Sequence, residues 1–146
     1  MTDTIPADFW RGVEQFNHGQ FYDCHDTLEA IWMEAVAPDK AFLQGVLQVA
    51  VALYHLGNLN WKGAVILLGE GISRLVPYQP EYFGIDVEQL IDQSDRLLTT
   101  LQQSGPDQVG AIAAQINPDA MDGLPETIAS DPASLPVKRP IITVLV

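Results

Sequence analysis

Phe42-Leu43-Gln44-Gly45-Val46-Leu47-Gln48-Val49-Ala50-Val51-Ala52-Leu53-Tyr54-His55-Leu56-Gly57 is apolar almost all the way round a helical wheel. A helix with so little polar surface belongs at the centre of a bundle, covered by others. Pro38 precedes it and Gly57 can terminate it, so the reading places a helix over Asp39 to Leu56. Gln44, Gln48 and His55 are its exceptions. Stepping about 100° per residue, they fall on one narrow stripe that includes Val51. That stripe is either a thin solvent edge or a wall facing a polar group on another helix.

Working outward, four more helical segments surround it. One runs from about Pro6, suited to an opening turn, to His18, with Gly19 as a C-cap. The next runs from about Gln20 to Ala35. A fourth starts from Asn60, a plausible N-cap, and reaches Val76, where Pro77 ends it. In it Gly63, Ala64, Gly69 and Gly71 suggest close approach by another helix. No strand–turn–helix context or GxxxxGK[ST] supports a phosphate loop. The fifth opens on Asp86-x-x-Gln89, which looks like a capping box, and runs to about Gln103. Val87, Leu90, Ile91, Ser94, Leu97, Leu98 and Leu101 make its inward face; Asp92, Asp95, Arg96 and Gln102 lie opposite. The expectation is an all-α, compact bundle of about five helices spanning 1–103.

Beyond residue 103 the chain changes character: residues 104–146 hold six of its ten prolines. They read as a mostly irregular Pro-rich tail with a short helical stretch at Gln108–Ile116. Its β-branched end, Ile141-Ile142-Thr143-Val144-Leu145-Val146, is expected to pack on the domain or on a partner subunit, because bare it would invite aggregation.

Composition narrows the function classes. The 146 residues are 47% apolar, enough for one real core. A net charge of −12 would be repelled by nucleic-acid backbones and by anionic membrane surfaces, so neither is an expected partner. A single cysteine, Cys24, excludes an internal disulfide framework and a multi-thiolate zinc site. No basic region followed by an apolar run opens the chain, and no window holds 18 uninterrupted apolar residues. The expectation is a soluble, cytoplasmic, acidic protein. Self-association is open, through the glycine-bearing fourth helix or the terminal apolar run.

The chemistry concentrates in the second segment. With His25 at zero on the wheel, Glu29 falls at about 40°, Trp32 at about −20°, Phe21 at about −40° and Leu28 at about −60°. Asp23, Thr27, Ala30 and Glu34 take the other side, which amphipathicity assigns to solvent. His25 and Glu29 are therefore expected inside. A buried imidazole and carboxylate need partners. Imidazole nitrogen and carboxylate oxygen are ordinary ligands for Zn, Fe or Mn, and i,i+4 spacing points both from one face.

A metal site of His25, Glu29 and His55 is one reading, with Asp26 at the rim, Tyr22 as a hydrogen-bond donor, and Gln44 and Gln48 on the facing wall. The stretch at His25 reads HDTLE, so it is not the HExxH of a zincin. A single Glu/His helix is too little for a di-iron bundle. The second reading is a structural or interaction module in which the pair is a buried hydrogen-bond network. The third is a metal-dependent hydrolase of unspecified substrate, which would need a solvent-open cleft and a vacant coordination position. Cys24, at the border of the buried face, reads as core packing.

The stretch Phe16-Asn17-x-Gly19-x-Phe21-Tyr22-x-x-His25-Asp26-x-Leu28-Glu29-x-x-Trp32 resembles the small bacterial and archaeal family DUF309, whose hallmark is His-x-x-x-Glu-x-x-Trp/Tyr. Phe42-Leu43-Gln44-Gly45-x-x-Gln48-x-Ala50, His55-x-x-Gly57-Asn58 and Gly63-Ala64 follow the same pattern in order. The resemblance covers about residues 10–100 and leaves the tail outside. It implies an all-helical domain with no established activity, and a suspected metal motif that maps to His25 and Glu29 with Trp32 beside them. The acidic residue after the motif His is met by Asp26.

Overall fold

The computed structural model describes residues 5–116 and 137–145. Residues 1–4, 117–136 and 146 lie outside the described residues, and with them the greater part of the expected Pro-rich tail. Among those described, six α-helices form a compact all-α bundle: α1 Ala7–Asn17, α2 Phe21–Glu34, α3 Asp39–Gly57, α4 Trp61–Leu75, α5 Val87–Ser104 and α6 Val109–Ile116. None of them is long and apolar enough to cross a membrane.

The helix ends follow from local chemistry. Gly19 takes a left-handed φ of 77° just past α1. Its N–H donates to Phe16 O at 3.0 Å and that of Gln20 to Gln15 O at 2.9 Å, closing a Schellman turn. Asn60 caps α4 by accepting from Gly63 N at 3.0 Å, as its sequence position suggests. Asp86 accepts from Gln89 N at 2.8 Å at the start of α5. The capping box is only half made, however. The Asp86 N–H donates to Thr143 O at 2.9 Å, and the Gln89 carboxamide accepts from the Thr143 hydroxyl.

Helix α3 is the axis of the bundle. Phe42, Leu43, Val46, Val49, Ala50, Leu53 and Leu56 are all buried between α2 on one side and α4 on the other. The α3–α4 contact is close because both helices carry glycine there. A Cβ on Gly71 would lie 3.0 Å from Gly45 O and 2.9 Å from Val49 Cγ2. Small residues let the two backbones meet, as the glycine density of the fourth segment suggests.

One element is absent from the sequence reading. Residues Glu81–Tyr82 (β1) and Ile85–Asp86 (β2) form an antiparallel hairpin. Its two-residue turn, Phe83-Gly84, has positive φ at both positions (52° and 72°), as a type I′ turn requires. Tyr82 and Phe83 pack on Phe42 at ring-centroid distances of 4.8 and 5.3 Å, fixing the hairpin to the core. Residues 137–145 run extended across this end. Val144 bridges Ile85, and the Asn17 carboxamide both donates to Ile142 O (2.9 Å) and accepts from Ile142 N (2.7 Å).

Candidate functional site

Helix α2 lies between α1 and α3, and this sandwiching sets its rotation. Phe21, Cys24, Thr27 and Leu28 are buried. Thr27 and Leu28 face α1 at Gly12, where a Cβ would lie 2.7 Å from Leu28 Cδ2. The buried arc is therefore centred about 70° from the expected one, most of a residue step. Two expectations are corrected as a result. Thr27, assigned to solvent, is inside; the His25/Glu29 pair, assigned to the core, is at the surface. The side chain of His25 is 31% exposed and that of Glu29 48%. Cys24 sits at the middle of the buried arc, and burial pushes its thiol up to about 12. It is packing material, not a nucleophile.

The His25 ring is engaged at both nitrogens. Nε2 lies 3.2 Å from Glu29 Oε2, one turn along the helix, and Nδ1 lies 3.4 Å from Asp26 Oδ1. The two carboxylates stand on opposite edges of the imidazole, so the three groups do not converge on one point. Tyr22 stands beside the ring at a centroid distance of 6.4 Å and against Tyr54 of α3 at 5.6 Å. Trp32 is half-buried under Lys40, whose Nζ lies 4.4 Å from the ring centroid. The indole N–H is buried and finds no hydrogen-bond partner among the described residues.

The polar stripe of α3 does not face this pair. Gln48 is spent on α4: its Nε2 donates to Glu70 Oε1 at 3.0 Å, and its Oε1 accepts from Arg74 Nε at 2.9 Å. His55 sits at the α3–α4 corner, with Nδ1 3.4 Å from Asn60 Nδ2. The Gln44 side chain, half-buried, has no hydrogen-bond partner among the described residues. No group of three or more His, Cys, Asp or Glu among the described residues is arranged to hold a metal ion. The expected set of His25, Glu29 and His55 is thus not assembled. The stripe points to α4 because the Gly45/Gly71 contact draws that helix onto the same side of α3.

Sequence reasoning also missed an open cleft of about 360 Å³ at the N-terminal end of α2, which neither His25 nor Glu29 lines. Its walls include His18, Phe21, Tyr22, Leu53 and Tyr54. The meeting of two tyrosines from different helices leaves no signal in either helix alone.

Comparison with known proteins finds a family match in the N-terminal half of the chain. Residues 9–67 match the family model for DUF309, a domain of unknown function. Over those residues the chain is consistent with a DUF309-domain protein. The matched segment contains most of α1, all of α2 and α3 and the first turns of α4, and with them His25, Asp26, Glu29 and Trp32. The chain is also similar to the uncharacterized protein YpuF of Bacillus subtilis (strain 168), with 36% identity over 95 residues. That alignment covers 64% of this chain, and the chain spans about half (51%) of the length of this curated relative. No solved structure matches.

Proposed function

We propose that the DUF309-matched segment of this chain binds a divalent cation at a solvent-open half-site formed by His25 and Glu29, with Asp26 orienting the ring. The observation that carries the reading is the double engagement of one imidazole: Glu29 at 3.2 Å from Nε2 and Asp26 at 3.4 Å from Nδ1. A metal-binding histidine ordinarily donates its second ring N–H to a carboxylate, which fixes the tautomer and aims the other nitrogen. Asp26 stands where that carboxylate belongs. Ligand atoms bound at about 2.0–2.2 Å to one tetrahedral cation lie roughly 3.4 Å from each other, close to the separation between Nε2 and Oε2.

The donor set also fits by type. One imidazole and one carboxylate suit Zn, Mn or Fe. When bound, such a cation supplies a Lewis acid that polarises a coordinated oxygen. The exposure of the pair supports an exchangeable site over a closed hydrogen-bond network, because groups that water can reach do not require internal partners.

Elemental analysis of the full chain, purified without chelator and reconstituted with Zn, Mn or Fe(II), tests this. The expected result is bound metal in the wild type, lost in His25→Ala and Glu29→Ala while helical circular dichroism is unchanged. Absence of metal from the reconstituted wild type contradicts the reading.

A further inference from the structure

The outward side of α2 carries Tyr22, Asp26, Glu29 and Met33, at steps of four, three and four residues. That is the spacing of a helix–helix seam. All four are open to solvent: Tyr22 is 58% exposed and Met33 65%, and the side chains of Asp26 and Glu29 are 64% and 48% exposed. Val36, just past the helix, is 74% exposed and extends the apolar end. Along this seam an aromatic ring and a thioether flank a charged middle.

The seam is self-complementary in one direction. If two copies of α2 lie antiparallel about a two-fold axis, position 22 meets 33 and position 26 meets 29. Tyr22 then packs on Met33 at both ends, a favourable sulfur–aromatic contact. Asp26 of one copy faces Glu29 of the other, twice. An isologous interface demands just such a patch that pairs with itself.

The middle of this pairing is four carboxylates, and each chain carries a net charge of −12. Like charges directly opposed hold the copies apart unless a cation lies between them. The half-site needs what the pairing offers, since His25 and Glu29 are two ligands where a bound zinc takes four. A carboxylate has two oxygens, so Asp26 can hold its own His25 Nδ1 with one and present the other outward.

Building on the half-site reading, we infer that a divalent cation joins two copies of this chain through antiparallel α2 helices. Each His25/Glu29 pair is completed by Asp26 of the partner subunit, leaving one position for water. The partner is a second copy because the seam matches itself in register and in its shortage of positive charge.

Sedimentation analysis of the full chain in zinc and in chelator, with bound zinc measured on the same samples, tests the inference. The expected result is a dimer in zinc and a monomer in chelator. Met33→Asp, which spares the ligands but adds charge to the apolar end, stays monomeric at the same zinc concentration and binds zinc at least 10-fold more weakly. Asp26→Lys, which sets an ammonium opposite Glu29 of the partner subunit, dimerises in chelator. Zinc bound by a chain that stays monomeric overturns the pairing and leaves the half-site reading standing. A dimer that persists in chelator or in Met33→Asp overturns the pairing as well, as does an Asp26→Lys chain that stays monomeric in chelator. A chain that binds no zinc overturns both.

Discussion

Two helices of this bundle carry polar stripes in apolar surroundings, and they meet different fates. On α3 the stripe is closed by its neighbour: Gln48 is held between Glu70 and Arg74 of α4, and His55 is tied to Asn60 at the corner. On α2 the stripe of His25, Asp26 and Glu29 finds its partners, among the described residues, within its own helix and faces outward. Polar residues answered across a helix contact fix register and serve structure. Polar residues of ligand type, oriented by each other and left open, are available for a further partner. That contrast, more than the presence of histidines, separates the candidate site from the scaffold.

The contrast is broken most strongly on the α3–α4 side. A Gly→Ala change inside an ordinary helix gains up to about 1 kcal/mol from propensity. Gly71→Ala places its methyl against Gly45 O and the Val49 backbone, so overpacking dominates and a net loss of about 1–3 kcal/mol is expected in urea unfolding. Unchanged stability would show that the two helices do not meet there. Gln48→Ala removes two hydrogen bonds at a partly solvated contact and leaves Glu70 and Arg74 to water. A loss of about 0.5–1.5 kcal/mol follows. An equal loss for Glu29→Gln would erase the distinction between the stripes.

Cys24 sharpens the rotation of α2. Its thiol, buried in the folded chain, is raised from 9.0 to about 12. The unfolded chain releases that proton first, so the contribution is complete below pH 9 and is lost as pH rises toward 12. Wild type therefore loses stability across that window, and Cys24→Ala shows a flatter profile. The native thiol also resists alkylation at neutral pH until denaturant is added. Rapid labelling of native protein would place Cys24 outside. The smallest effect is expected at the open stripe itself, where Glu29→Gln changes stability by no more than about 0.5 kcal/mol.

Much of the scaffold was legible beforehand. The central helix declared itself by its almost all-round apolar surface, α4 by Asn60, and the end of α1 by Gly19. The rotation of α2 was not, because Phe21 and Trp32 on one side of His25 pulled the estimated core face toward the pair. Only the packing of Thr27 and Leu28 on Gly12, a contact between helices, reveals the true face. The hairpin escaped for a different reason: two-residue strands have no periodicity, and Phe83-Gly84 lacks the usual Asn-Gly signature. Of the candidate site, the composition of the His25/Asp26/Glu29 group could be read directly. Its exposure, and the diversion of Gln48 and His55 to α4, depend on long-range packing that no single segment encodes.

On this account the open stripe of α2 takes a divalent cation, while the other two imidazoles are held by the scaffold, His18 with Nδ1 2.7 Å from Glu14 O and His55 at Asn60. Imidazole-region NMR of the full chain during a zinc titration tests that division most directly, because the protein has three histidines. The His25 ring resonances are predicted to move and saturate, while those of His18 and His55 hold still. Movement of His55 in step with His25, or no movement of His25 at all, would contradict it.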